Sequence, residues 1–494
     1  MTKACIFLSV FLGISLSVFA EESSPLNKER LIILADMGNE PDEEQQMAHM
    51  LMNNNEFHLE ALIAVTGKYL RPEHKVPYRQ KVHPELFHKL IDAYEKVLPN
   101  LKLHAKGWHE AEYLRSIVYS GQSGYGYKDV GPGKESPGSK ALMKSLEKND
   151  SRPVWIVVNA GSNTLAQALF DLDEKFKTSP AEFDRIISKI RVFENGAQDN
   201  AGAWICNRYP KIHWIRSNFQ TYSFGGPQSE LGPHTWKPFE YSYKGQHDWL
   251  KEHVQRGHGA LGEVYPDRAF GKNKKLHFLD GGGTVPWLGL VNKGLFDINE
   301  PSWGGWSGRF SKTKQENFWS RHKDIMADEE KIGTFKVYSE DADTWRSPED
   351  GKEYKGSYVP VWRWRTAMYN NLQCRMDWCV KSFKEANHHP VAAVNGNSED
   401  TILRISAKAS ELLKFDASAS SDRDGDEIDI RWWQYREAGT YPGTVKIEGG
   451  EKSLASIQIP ADATGKQIHI ILEVKDKSSI ASLYDYRRVV IDVQ

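Results

Sequence analysis

The sequence predicts an α/β protein: a mostly parallel sheet flanked by helices, followed by a separate β-sandwich. Three observations carry this. Short apolar runs alternate with helical stretches from residue 28 to 385. Those runs are almost wholly apolar, as strands buried on both faces are. From residue 390 the texture changes to short alternating strands with polar turns, over about a hundred residues.

Taken in order, Leu31-Ile32-Ile33-Leu34 is the first buried strand and ends at Ala35-Asp36. Asp42 to Asn53 follows Pro41, a favoured first helical residue, and reads as a helix. Ala61 to Val65 is the second strand. Pro84 to Leu98 places Leu86, Leu90, Ile91 and Tyr94 at helical spacing. Val154 to Val158 is the third strand, Thr164 to Lys175 a helix, and Ile212 to Ile215 a fourth strand. Strand–helix alternation of this kind implies a parallel sheet covered by helices. Beyond His389-Pro390, Ile428 to Trp432, Ile468 to Val474 and Val489 to Val493 read as strands of the sandwich.

The first 20 residues read as a signal peptide: Lys3, an apolar run from Cys5 to Phe19, and Val18-Phe19-Ala20 before Glu21-Glu22. This predicts a secreted or periplasmic protein of two domains, 28–385 and 390–494, with no membrane span. The charge is nearly balanced, 64 Lys+Arg against 66 Asp+Glu, which argues against a nucleic-acid partner held by a basic surface. After cleavage three cysteines remain, Cys206, Cys374 and Cys379. Cys374 and Cys379 can pair if their segment turns, and an odd count leaves at least one thiol unpaired within the chain.

The strongest local feature is Ala35-Asp36-Met37-Gly38-Asn39-Glu40-Pro41-Asp42-Glu43-Glu44. Asp42, Glu43 and Glu44 have an ordinary explanation as acids complementing a helix N-terminus. Asp36, at the end of an apolar strand, has none. Carboxylates gathered there need protons or a cation, and Ca²⁺, which takes about six to eight oxygens, suits them.

This opening, Asp-Gly-acidic pair between strand and helix, resembles the calcium-binding start of nucleoside hydrolases. Ala61 to Gly67 and Ala160-Gly161-Ser162-Asn163-Thr164 resemble that family's second and third strand turns. The match is closer to a secreted nucleoside-hydrolase-like family named after a cellulose-binding protein. The likeness lies in Gly38-Asn39-Glu40-Pro41-Asp42, in Gln198-Asp199-Asn200-Ala201-Gly202-Ala203-Trp204, in Trp303-Gly304-Gly305-Trp306, and in Phe415-Asp416-Ala417-Ser418 through Trp433-Gln434-Tyr435 and Glu437-Ala438-Gly439-Thr440-Tyr441. The resemblance implies that the second domain is immunoglobulin-like. It also implies that Asp36 holds Ca²⁺ and accepts a proton from water. Asp42 and Glu43 would divide between a sugar hydroxyl and the metal, and the carbonyl of Ala160 would complete part of the shell. Asn39, Glu40 and Asn159 would contact substrate.

The chain departs from that pattern in four places. Two extra residues separate Asp36 from Asp42, Glu43 stands for an aspartate, and Lys68 stands near the usual ribose-binding Asn. The fourth lies in Asp280-Gly281-Gly282-Gly283-Thr284, where Gly283 falls at the position of an aspartate ligand. Asp280 is the substitute metal ligand if the glycines let the loop fold back.

Other candidates have two readings each. Gln198, Asp199 and Asn200 either read sugar hydroxyls or cap the next helix through Asn200. Trp303 and Trp306 either stack on a sugar or pack a turn. His388-His389 reads as a surface linker. Asp422-Arg423-Asp424-Gly425-Asp426 reads as a polar turn, and Trp432-Trp433 puts one ring in the sandwich core and the other on its surface or against the first domain. Fourteen of the 16 tryptophans lie in the first domain, with Trp155 and Trp214 in its core and Trp204, Trp287, Trp303 and Trp306 beside the motif loops. Two functions remain open: metal-assisted hydrolysis of a glycosyl bond in a saccharide or glycoside, with an N-glycosyl or nucleoside-type substrate also in range, and non-catalytic binding of a cellulose-like polysaccharide.

Overall fold

The structure is a computed structural model. It describes residues 28–224, 243–267, 269–270, 276–277, 282–312, 322–348 and 350–494. The expected signal peptide and Asp280 lie outside these residues. Six parallel strands form the body of the first sheet: β1 (Glu29–Ala35), β2 (Phe57–Ala64), β3 (Val118–Ser120), β4 (Val154–Val158), β5 (Ile190–Asn195) and β6 (His213–Ser217). Their order is β3-β2-β1-β4-β5-β6, extended beyond β6 by Tyr338–Glu340 and an antiparallel edge strand, Phe310–Lys312.

Both faces of the sheet are covered, which is why its central strands carry unbroken apolar runs, Leu31–Leu34 in β1 and Val154–Val158 in β4. Leu31, Ile33 and Ala35 face one core with Trp155 and Phe193, while Ile32 and Leu34 face the other with Val158 and Trp214. Helix Pro41–Leu51 follows β1, helix Asn163–Lys175 follows β4, and helix Ala201–Arg208 follows β5. Among the described residues, no helix is long and apolar enough to cross a membrane.

Residues 403–493 form two stacked sheets. One holds Leu403–Ala407, Tyr484–Val493, Gln467–Asp476 and Ile428–Gln434; the other holds Leu412–Asp416, Leu454–Gln458 and Ile447–Glu448. Pairing is antiparallel except between Leu403–Ala407 and Tyr484–Val493. Trp432 stacks on Phe415 in the sandwich core, whereas Trp433 meets Trp364 of the first domain at 5.6 Å. Asp422 closes the polar turn by accepting from the backbone of Asp424 and Asp426.

The join between domains is built from buried polar groups. Tyr435 Oη donates to Asp343 (2.6 Å), whose carboxylate also receives Arg309 Nε (2.8 Å) and Arg363 Nη1 (3.1 Å). His388 and His389 are part of this join, not a surface linker. His388 is buried between His104 (2.9 Å) and Asp424 (2.8 Å), and His389 bonds Asn371 and the carbonyl of Tyr484. Cys206, Cys374 and Cys379 are buried free thiols. Cys374 sits in helix Arg365–Asp377 and contacts the Ala481 carbonyl, while Cys379, just past the helix, turns to the carbonyl of Arg375. Five residues along a helical segment are not on one face, so the two sulfurs diverge.

Candidate functional site

In an open parallel sheet, ligands bind beyond the carboxyl ends of the strands, at the point where the strand order reverses. Here that point lies between β1 and β4. β1 delivers Asp36 to it and β4 delivers Asn159 and Ala160. The β1 loop turns back at once, with Asn39 N donating to the Asp36 carbonyl (3.0 Å) and Gly38 at φ +90°. A side chain at Gly38 would also strike His83 and Tyr78, each 2.9 Å from where a Cβ would sit.

Asp36 is 1 % exposed. Its Oδ2 accepts from Asn39 Nδ2 (3.0 Å). Burial, with Glu40 nearby, pushes its carboxyl up to about 8. Gly67, at the end of the β2 turn, makes room for the site. A Cβ there would lie 2.9 Å from Gln198 Oε1, 3.0 Å from Asp36 Oδ2 and 3.1 Å from Ala160 Cβ. Gln198 Nε2 donates to the Asn159 carbonyl (3.1 Å), and Asn159 Nδ2 donates to Glu43 Oε2 (3.3 Å), which also receives Gln46. The structure thus brings Asp36, Asn39, Glu43, Asn159, Ala160 and Gln198 into one buried group. Glu40 and Asp42 are half-buried in the same turn and first helical turn.

Three carbonyl oxygens of this group, Asn39 Oδ1, Asn159 Oδ1 and Gln198 Oε1, are buried without a hydrogen-bond partner. Buried amide oxygens are normally satisfied, so three beside one buried carboxylate make this group a candidate ligand or ion site. The donor set is all oxygen, which fits a hard cation. Among the described residues, no three His, Cys, Asp or Glu side chains gather closely enough to hold a metal ion. A cation held by these residues therefore meets at most two carboxylates, with neutral oxygens making up the rest. The position of the absent aspartate ligand is filled: a Cβ on Gly283 would lie 2.8 Å from both Asn159 Nδ2 and Gln46 Cγ.

Several expected contacts play other parts. Asp199 is fully buried and accepts from the backbone of Asn163 (3.2 Å) and Ala201 (3.0 Å), bracing the starts of two helices rather than facing a sugar. Those donors hold its carboxyl down, but burial still lifts it to about 7. Asn200 occupies the cap position of helix Ala201–Arg208 without bonding it; its side chain receives Tyr127 N (2.8 Å). Lys68 pairs with Asp324.

Trp303 and Trp306 are a clear correction. They are 3 % and 1 % exposed and pack onto the sandwich, Trp303 edge-on to His469 at 5.0 Å and beneath Arg404 at 4.4 Å, Trp306 edge-on to Tyr486. Gly304 and Gly305 turn the loop so that Gly304 abuts Tyr435 and its carbonyl receives Arg488 (2.9 Å). The indoles hold the domains together. Trp303→Phe is expected to cost about 1–2 kcal/mol in a thermal melt while leaving sugar affinity unchanged.

The aromatic groups that do reach solvent at the sheet edge are tyrosines. Tyr69, Tyr78 and Tyr127 are 41 %, 49 % and 36 % exposed, and all three lie on loops that follow β2 and β3. The sequence carries a signal for them, in that each sits in a polar or glycine-bearing stretch where a core residue is not expected.

Comparison with known proteins agrees with this fold. Residues 30–310 match the family model described as cellulose-binding Sde182, nucleoside hydrolase-like domain. Residues 412–493 match the model of the cellulose-binding protein Sde0182 C-terminal domain. The solved structure of a nucleoside hydrolase-related hypothetical protein from Saccharophagus degradans, associated with carbohydrate metabolism, is 36 % identical with a TM-score of 0.76, over 94 % of this chain and 100 % of that one. An endo-fucoidan hydrolase of glycoside hydrolase family 107 (16 % identity, TM-score 0.16, 22 % of this chain and 14 % of that one) and titin domain M4 (11 %, 0.14, 22 % and 98 %) are too distant in structure to carry any argument. A search of curated proteins finds no match. A nucleoside hydrolase-like sheet whose Asp36 stands at the switch point, joined by buried tryptophans to the matching C-terminal sandwich, places this chain in the family of cellulose-binding, Sde182-type proteins.

Proposed function

We propose that the chain is an exported hydrolase of glycosyl bonds that acts on a saccharide or glycoside at the Asp36 edge, with Ca²⁺ as its cofactor. The observation that carries this reading is the buried Asp36 carboxylate beside three buried, unpartnered amide oxygens. That group asks for a polyhydroxylated ligand, an oxygen-seeking cation, or both.

Asp36, Glu43 and the Ala160 carbonyl are the residues to hold the ion, with amide oxygens of Asn39, Asn159 or Gln198 in place of the acidic ligand lost at Gly283. Asp280, outside the described residues, remains the other source of charge. Bound there, Ca²⁺ supplies a lowered water pKa and a fixed point for the sugar hydroxyls. Asp36 accepts the proton of the attacking water, and Asn39 Nδ2 keeps its carboxylate oriented. Glu40 and Asp42, at the mouth, face the positive charge that develops at the anomeric carbon.

The second reading, a binding protein without catalysis, is favoured by one observation: Gly283 leaves no room for an acidic side chain. Release of reducing sugar from a glycoside panel, with and without EDTA, separates the two. The expected result is release that EDTA abolishes and Ca²⁺ restores. Polysaccharide binding unaffected by EDTA, with no sugar released by the wild-type protein, establishes the second reading.

A further inference from the structure

Four Phe, Tyr or Trp side chains are exposed among the described residues, and three of them lie on the loops that follow β2 and β3, at the sheet edge that carries Asp36. They are Tyr69, Tyr78 and Tyr127; the fourth, Phe383, lies near the domain join. Each of the three lies close in the chain or in space to a residue that borders the site. Tyr78 Oη would touch a Cβ on Gly38, in the Asp36 turn. Tyr69 lies two residues beyond Gly67, which separates Asp36 from Gln198. Tyr127 N donates to Asn200, and neighbouring Tyr125 Oη donates to the Gln198 carbonyl (2.8 Å).

Two of these rings are held by stacking from behind. Tyr78 stacks on His83 at 4.0 Å, and His83 is fixed by Glu85 (2.7 Å) and the Tyr78 carbonyl (2.7 Å). Tyr127 stacks on Trp204 at 4.8 Å. Tyr69 stands edge-on to His322 at 5.8 Å. Rings already held in place lose little freedom when a ligand arrives. Their flat apolar faces match the C–H face of a pyranose, and their hydroxyls match its rim.

We propose that Tyr69, Tyr78 and Tyr127 form stacking subsites for a saccharide chain that crosses the mouth of the Asp36 site. The ligand is then an oligo- or polysaccharide rather than a free nucleoside or monosaccharide. A single sugar fills the Asp36 position, and further units along the chain rest on the tyrosines. This inference rests on the reading of the Asp36 edge as a sugar site.

Calorimetric titration with glucose, cellobiose, cellotetraose and cellohexaose, in the presence of Ca²⁺, tests it. Affinity is expected to rise at least about tenfold from the dimer to the hexamer. Tyr78→Ala and Tyr127→Ala are each expected to weaken hexamer binding about fivefold, leave glucose binding unchanged, and be rescued by Tyr→Trp. The positions are exposed, and a thermal melt confirms that each variant folds. Length-independent affinity that Asp36→Asn abolishes overturns the subsites and leaves the sugar site standing, as does tyrosine-dependent binding of inosine or uridine in place of the oligosaccharides. Length-dependent, tyrosine-dependent binding without any sugar release, in wild type and Asp36→Asn alike, supports the subsites and overturns the hydrolase reading. No binding of any length, or of a longer cellulosic polymer, overturns both.

Discussion

Replacing Asp36 with Asn is expected to lower sugar release by at least about a thousandfold, the scale set by loss of a positioned general base. The substitution removes one charge and keeps the shape of the side chain. The same change is expected to make the ligand-free protein more stable at alkaline pH. Burial raises the Asp36 carboxyl from 3.8 to about 8 in the folded chain. Between those values the folded state holds a proton that the unfolded state has released, so stability falls as pH rises through that window. Above about pH 8 the wild type carries the full cost of a buried charge, on the order of 5 kcal/mol for a shift of that size, which the amide does not carry. Melts of the two proteins at pH 5 and pH 9, without added Ca²⁺, are expected to diverge in favour of the Asp36→Asn variant at pH 9. Added Ca²⁺ is expected to close that gap by stabilising the wild type alone.

The second large effect lies beneath the site. Arg216 is fully buried and donates to Glu194 (2.7 Å) and, through both terminal nitrogens, to Glu329 (3.1 and 2.9 Å). Glu194 also receives Trp214 Nε1 (2.9 Å) and Ser162 Oγ (3.1 Å), so it links β5 and β6 to the turn that follows β4. A side chain on Gly202 would lie 2.4 Å from Glu194 Oε1, which locks helix Ala201–Arg208 against the same group. Arg216→Met leaves two buried carboxylates without their cation and is expected to cost about 3–5 kcal/mol. Burial already raises Glu329 to about 7 with Arg216 present. Without Arg216, Glu329 loses the cation that opposes that rise and takes up a proton more readily. The deficit in the melt is therefore expected to be smaller at pH 5, where Glu329 is neutral, than at pH 8. A deficit that does not change with pH contradicts this account of the network.

The strands were legible because a parallel sheet buried on both faces leaves an unbroken apolar run. Leu31 to Leu34, Ala61 to Ala64 and Val154 to Val158 all fall inside strands. The Asp36 turn was legible because a carboxylate at the end of such a run has no structural reason to be there. What the sequence could not reveal was partnership between distant residues. Asp199 reads equally as a sugar contact or as part of a capping loop until Asn163 and Ala201 are found to donate to it. Trp303-Gly304-Gly305-Trp306 has the composition of a binding loop, and only the fold brings His469, Arg488 and Tyr435 of the sandwich against it. His388 and His389 look like linker residues because their partners, His104, Asn371 and Asp424, lie well away in sequence. The tyrosine rim was missed for the opposite reason. Its rings are scattered singly along two loops and share one sheet edge only because β2 and β3 both end there.

A crystal structure of the wild-type protein soaked with cellohexaose and Ca²⁺ tests the Asp36 edge most directly. The expected result is one sugar ring within hydrogen-bond distance of Asp36, Asn39 and Gln198, with neighbouring rings against Tyr78 and Tyr127. Saccharide found only on the sandwich or at the domain join, with the Asp36 edge holding neither sugar nor ion, contradicts it.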